Sequence, residues 1–235
     1  MKKQAIIMAA GKGVRMLPLT KDIPKPLIRV NGKPFLYYLM KNLIKAGFED
    51  IGIIVGYKKE KIKEFLGEFG FRAELIEQKE QLGTGHAVKV VKDFIQNNFI
   101  VVNGDNLYSA EDLKKINIED AFNYVSGFPV DNPDKFGVLL QKDGFLQSIA
   151  EKPKEFKGNM INTGLYKFTP EIFSVLKTLK KSERGEYELT EAITCLAEEN
   201  KVKVFNLSDY WIDFGCPEDL PKLETFLRGV EQCAE

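Results

Sequence analysis

The stretch AAGKGVRMLPLT, from Ala9 to Thr20, follows an apolar run and sets Gly11 and Gly13 beside Lys12 and Arg15. Lys21 and Lys25 come next, in a segment pinned by Pro18, Pro24 and Pro26. Glycine has no side chain, so the backbone N–H groups around it can close on phosphate oxygens. Proline removes freedom from a loop and holds its side chains in place. The whole chain carries 34 basic and 34 acidic residues, so this positive charge is local. A stiff local cationic loop suits a polyanion such as a triphosphate. The plain alternative is a β-turn with solvated lysines.

Two well-known phosphate motifs are absent. There is no G-x-x-x-x-G-K-[ST], and Met16 stands where the third glycine of G-x-G-x-x-G belongs. Gly56 and Tyr57, not an acid, follow the second strand, which argues against a nicotinamide-dependent oxidoreductase.

Further along, EQKEQLGTGHA (Glu77 to Ala87) offers Gln78, whose amide presents a donor and an acceptor side by side, as a uracil or thymine edge requires. Otherwise Gln78 and Gln81 are solvated, and Thr84 caps the next helix. His86, the only histidine, falls in a first helical turn and reads as structural, not as a general base. VVNGDN places Asp105 just past the C-terminal end of a strand, where α/β sheets hold ligands. A turn aspartate satisfying its own backbone is the alternative. Glu151 beside Lys152 reads equally as a surface ion pair.

The elements that must position these residues alternate. Apolar runs at Gln4–Ala9, Ile51–Val55, Phe71–Ile76 and Phe99–Val102 read as strands, with helices at Pro34–Ala46, Lys58–Leu66 and Thr84–Val91 between them. Short links and this alternation, to about residue 117, imply right-handed βαβ units. Beyond it, strands at Ala121–Phe128, Val138–Gln141, Phe145–Glu151, Met160–Phe168 and Val202–Leu207 join helices at Pro170–Lys180, Tyr187–Glu198 and Asp219–Val230. Lys142-Asp143-Gly144 reads as a hairpin turn, and Asp213 as the end of a strand. With no linker between the halves, the expectation is one domain over 1–235, with halves 1–117 and 118–235 and a more antiparallel second lobe.

At 235 residues with 44% hydrophobic side chains, a sizeable core is available. Zero net charge argues against a general nucleic-acid or membrane-surface partner. Cys195, Cys216 and Cys233, without CxxC spacing, read as reduced thiols of a cytoplasmic protein. Met-Lys-Lys and a short apolar run broken at Gly11 fit neither a signal peptide nor a membrane span.

AAGKGVRMLPLT with PKPL resembles the signature of the sugar-1-phosphate nucleotidylyltransferases, and the likeness continues through EQKEQLGTGHA, VVNGDN, EKP, INTGLY and YWIDFGCPEDL. The resemblance implies a three-layer, Rossmann-like α/β fold: a mixed, mainly parallel sheet with helices on both faces. It implies transfer of a nucleotidyl group from UTP or dTTP to a sugar 1-phosphate, in the presence of Mg2+. Ala10, Gly11 and Gly13 would wrap the nucleotide, Arg15 and Lys25 would meet its phosphates, and Gln78, Gly83 and Thr84 would hold its base. Gly137, Glu151, Lys152 and Asn162 would take the sugar phosphate, and Asp105 and Asp213 the metal. Trp211 reads as a wall of the core. The hexapeptide-repeat acyltransferase domain of some relatives is not expected. Cytidylyl or guanylyl transfer, or a non-catalytic sugar-nucleotide-sensing subunit, are the rival readings. Whether the chain acts as a homo-oligomer is left open.

Overall fold

A computed structural model describes residues 2–232. β1 (Gln4–Met8) leads through the cationic loop to a small ribbon of β2 (Arg29–Val30) and β3 (Lys33–Pro34). Then follow α1 (Phe35–Lys45), β4 (Asp50–Val55), α2 (Lys59–Phe69), β5 (Glu74–Glu77), α3 (Thr84–Lys89) and β6 (Phe99–Asn103). β7 (Asn106–Tyr108) and α4 (Ala110–Ile116) close the first half. The second holds β8 (Asn123–Pro129), β9 (Gly137–Lys142), β10 (Phe145–Glu151), β11 (Met160–Phe168) and α5 (Ile172–Thr178). It ends with α6 (Leu189–Glu198), β12 (Val202–Asn206), β13 (Trp211–Asp213) and α7 (Leu220–Gln232).

The first strands are apolar throughout because both of their faces are covered. Ala5, Ile7, Ile53, Val55, Ile100 and Val102 enter one apolar layer. Their neighbours Ile6, Ile54, Phe99 and Val101 enter the other. Helices α1, α2, α4 and α7 pack on the first face through Leu39, Phe65, Leu113 and Leu227. Helices α3, α5 and α6 pack on the second through Val88, Leu176 and Ile193. Each such leucine, fully buried, contributes on the order of 1.5–3 kcal/mol. These are the three layers expected.

The nine-stranded sheet runs β5-β4-β1-β6-β11-β8-β12-β10-β9. The β5, β4, β1 and β6 neighbours are parallel, as is β8 with β12. β11 is antiparallel to β6 and β8, and β10 to β12 and β9. Only β10 and β11 therefore run against the other strands, and the sheet is mixed but mainly of one direction. It passes without a break from the first half into the second.

β10 and β11 fall at the expected bounds, and β10 pairs with β9 across the expected hairpin turn. Asp143 and Gly144 take φ of 51° and 80° between β9 and β10, the two positive values a type I′ turn requires. β5 starts later than Phe71. Gly70 ends α2 in the left-handed region, and the Phe71 N–H bonds back to the Leu66 carbonyl at 3.0 Å, so it is spent on the helix end. The Phe71 ring joins Tyr37, Phe65 and Phe69 instead. α6 starts later than Tyr187, whose N–H and carbonyl are tied to Leu82 and Gly85. β7 and α4 are additions to the sequence reading. A three-residue strand is too short for periodicity, although Ser109, whose Oγ accepts the Asp112 N–H at 3.0 Å, was a readable cap.

Cys195 and Cys216 are free thiols, and Cys233 lies outside the described residues. Among the described residues no helix is long and apolar enough to cross a membrane.

Candidate active site

The cationic loop leaves the C-terminal end of β1 and folds back on itself. Gly13 sits at φ 62°, and a Cβ there would meet Thr20 at 3.0 Å and Lys25 at 3.1 Å, so only glycine lets the two limbs close. Thr20 Oγ1 donates to the Gly13 carbonyl at 2.8 Å, and Gln81 Nε2 ties down the Ala10 carbonyl at 2.8 Å. Gly11 differs: its φ is ordinary, and nothing lies within 4 Å of where a Cβ would stand. The loop borders a cavity of about 440 Å³, the size of a small-molecule site. Ala10, Gly11, Gly13, Arg15 and Lys25 line it from the loop. Gln78 lines it from the end of β5, Gly83 and Thr84 from the start of α3, and Asp105 from the end of β6. Gln81, Asn103 and Glu186 also line it. Gln81 stood in EQKEQLGTGHA, singled out above, without a role.

Lys25 is buried, and its Nζ lies 2.7 Å from Asp105 Oδ2. Asp213 is not part of the cavity lining, but strand pairing brings it beside Asp105. β13 runs antiparallel to β7 with Asp213 opposite Asn106, and the Phe214 N–H donates to the Asp105 carbonyl at 2.9 Å. Buried Asn106 joins the two acids: its Nδ2 donates to Asp105 Oδ1 at 3.0 Å and to Asp213 Oδ1 at 3.2 Å. Its Oδ1 accepts the Trp211 indole N–H at 2.7 Å. That bond fixes the amide, because an indole N–H only donates and must face an oxygen. Burial, then the neighbouring Asp105 charge, pushes the Asp213 carboxyl up to about 6, against a smaller opposing pull from Lys25. Asn106 and Asn103 were missed in the sequence. Both flank Asp105 in the quoted VVNGDN, which was the available signal.

Elsewhere in the cavity lining, Gln78 is anchored by its own N–H to the Val55 carbonyl at 2.8 Å. Gly83 starts α3 at φ 102°, where a Cβ would strike the Tyr187 carbonyl at 2.7 Å. Thr84 does not cap its own helix; its Oγ1 accepts the Leu189 N–H at 3.0 Å, at the start of α6.

The four residues expected to hold the sugar phosphate do not line this cavity. Gly137 and Glu151 pair across β9 and β10, and a Cβ at Gly137 would lie 3.0 Å from Glu151 Oε2 and 3.8 Å from Asn162 Cβ. These three form one cluster. Lys152 follows at φ 41°, exposed, with its N–H on the Phe136 carbonyl at 3.1 Å. Trp211 packs against the core, as expected, with its ring 5.7 Å from that of Phe136, which links this cluster to Asn106. Among the described residues no three His, Cys, Asp or Glu side chains gather as a metal cage. Two apposed carboxylates are the available donors, which suits a hard cation completed by substrate oxygens.

Known proteins resemble the chain over nearly its whole length. The chain is 42% identical over 224 residues to the "Bifunctional protein GlmU" of Methanococcus aeolicus, covering 95% of this chain and 54% of the relative. It thus spans about half the length of the first such relatives. It is 37% identical over 234 residues to the "UTP--glucose-1-phosphate uridylyltransferase AglF" of Haloferax volcanii, covering 96% of both. A structure from Bacillus anthracis, assigned as a glucose-1-phosphate thymidylyltransferase and bound to sucrose, superposes with a TM-score of 0.86. It is 30% identical, over 96% of this chain and 95% of that one. A UDP-glucose pyrophosphorylase complexed with UDP-glucose gives a TM-score of 0.86 over 97% and 99% at 23% identity, which speaks for the fold alone. The "Nucleotidyl transferase" family model matches residues 4–229, and the chain belongs to that family.

Proposed function

We propose that the chain transfers a nucleotidyl group from UTP or dTTP to a sugar 1-phosphate, releasing pyrophosphate. The observation that carries this is the chain of contacts Lys25–Asp105–Asn106–Asp213, whose first two members line a cavity shared with Gly11, Gly13 and the Gln78 side chain. The family match and the relative that acts on UTP and glucose 1-phosphate support it.

The chemistry asks little of a general base. The attacking sugar-phosphate oxygen is already an anion, and the attacked α-phosphorus carries anionic oxygens. The obstacle is repulsion between the two, together with charge growing on the pyrophosphate. Positioning and fixed cations answer both. Arg15 and the backbone around Gly11 and Gly13 hold the triphosphate. Gly11 has no packing reason to be glycine, which fits close approach of a ligand. Lys25, aimed by its bond to Asp105, stands by the reacting phosphate. Asp105 and Asp213 would hold Mg2+, which when bound neutralises phosphate oxygens. The Gly137, Glu151 and Asn162 cluster takes the sugar hydroxyls, and Lys152 its phosphate. The free thiols of Cys195 and Cys216 fit a reducing, cytoplasmic setting.

A matrix of triphosphates against sugar 1-phosphates, read by pyrophosphate release, tests the proposal. UTP or dTTP with one sugar 1-phosphate should stand out. No release in any cell of the matrix would overturn it, and release with CTP or GTP alone would move the chain to a different transfer.

A further inference from the structure

His86, the chain's only histidine, is one of two acceptors that hold the Gln78 amide. Gln78 Nε2 lies 3.1 Å from the Gly83 carbonyl oxygen and 3.1 Å from His86 Nδ1. A carbonyl oxygen can only accept, so the Gln78 atom facing it must be the nitrogen. That same nitrogen faces His86, so Nδ1 must offer a lone pair, and the imidazole carries its proton on Nε2. Both N–H bonds of the amide are then spent on protein. The carbonyl oxygen Oε1 is left over, with no partner among the described residues. Gln78 is only 5% exposed, yet no fully buried side-chain nitrogen or oxygen among these residues lacks a partner. Oε1 must therefore open onto the cavity that Gln78 lines.

We propose that His86 is a positioning residue which, with the Gly83 carbonyl, locks Gln78 oxygen-outward and so selects bases that present a ring N–H. The inference rests on the nucleotidyl-transfer reading above and sharpens its substrate class. Uracil and thymine offer N3–H to that oxygen. Cytosine presents a bare N3 lone pair instead, so two acceptors would face each other. Turning the amide over to suit cytosine would set Oε1 against the Gly83 carbonyl and would also oblige His86 to move its proton from Nε2 to Nδ1. A site built around a fixed polar partner discriminates strongly because the wrong ligand leaves buried polar groups unpaired.

The test is equilibrium binding of UTP and of CTP, followed by calorimetry with Mg2+ and without sugar phosphate. Wild type, His86→Leu and His86→Asn are compared, and thermal unfolding checks that each folds. His86→Leu removes the lone pair, and the preference for UTP over CTP should drop about tenfold, the equivalent of one lost hydrogen bond. Some preference should remain, because Gly83 still holds one N–H. His86→Asn can set its Oδ1 where Nδ1 stood and should keep the wild-type preference. A merely structural histidine would instead weaken both nucleotides alike. A wild-type preference in His86→Leu, or an equal loss in both variants, overturns the proposal. So does a wild type that binds UTP and CTP equally, and that result leaves nucleotidyl transfer standing. If wild type binds neither and the activity matrix is silent, the transfer reading falls and takes this one with it.

Discussion

Lys25 Nζ lies 2.7 Å from Asp105 Oδ2, across 80 residues of sequence, with the ammonium almost fully buried. A surface pair of this kind contributes little, but a desolvated one fixes both charges in place. Replacing Lys25 by Met keeps most of the volume and removes the charge. Turnover of the best triphosphate and sugar phosphate should fall by about 10²–10³-fold, the cost of losing one preorganised stabilising donor. Pyrophosphate release at saturating substrate measures it; a wild-type rate would dismiss the role given to Lys25.

Asn106 holds both carboxylates with a single amide nitrogen. Asn106→Leu leaves Asp105 and Asp213 without that shared donor. Divalent-metal affinity should fall by roughly 10–100-fold, as when outer partners of metal ligands are removed. Titration with Mn2+ followed by electron paramagnetic resonance reads this directly, whether or not the variant turns over. Unchanged Mn2+ affinity would separate Asn106 from any metal role.

Asp213 titrates near 6 instead of near 3.8, mainly because it is buried and secondly because Asp105 is close. The sign follows from the folded value lying above the unfolded one. The protonated form is the one folding favours, so this contribution is whole below pH 3.8 and is lost as the pH rises through about 6. Metal-free protein should therefore show a fall in melting temperature over that window, and Asp213→Asn should flatten it. Mn2+ affinity should weaken as the pH falls through the same range, since proton and metal compete for one carboxylate.

Two glycines of the cavity should respond in opposite ways to alanine. At Gly83 a Cβ would strike the Tyr187 carbonyl at 2.7 Å in a positive-φ conformation. Gly83→Ala should cost roughly 1–3 kcal/mol of stability in urea unfolding. At Gly11 neither crowding nor φ objects, so Gly11→Ala should stay within about 0.5 kcal/mol of wild type. Its KM for the triphosphate should nevertheless rise. An unaltered KM would remove Gly11 from the nucleotide contacts.

Away from the site, fully buried Lys167 donates to the Asp120 carboxylate at 2.9 Å and to the carbonyls of Asp120 and Phe122 at 2.9 and 2.6 Å. Burial alone would raise the Asp120 carboxyl, but hydrogen bonds from Tyr124 and Lys167 outweigh it and hold it below the ordinary value. Asp120→Ala strands the cation and should cost about 3 kcal/mol, the low end for a broken buried pair because the carbonyls remain. In wild type this contribution is present above the unfolded pKa and fades as the pH falls through the lower folded one. Chemical denaturation from pH 3 to 7 checks both points.

Local chemistry made much of this protein readable in its sequence. Continuous apolar runs can be satisfied only by burial on both faces, so β1, β4 and β6 were legible, and with them the layered fold. Glycine, proline and lysine within one loop pointed to a polyanion, because their conformational and charge effects act over a few residues. What tertiary structure decided was convergence. The pairing of Asp213 with Asn106 depends on β7, a three-residue strand too short to show a period. Thr84 caps a helix more than a hundred residues away, and Lys25 finds its acid past the end of the neighbouring strand β6. Likewise, nothing in the spacing of His86 foretold that its ring would lie against the Gln78 amide. Contacts between distant segments leave no spacing in the chain, since they are chosen by the packing of whole layers, and it is those contacts that turn a cationic loop into a site.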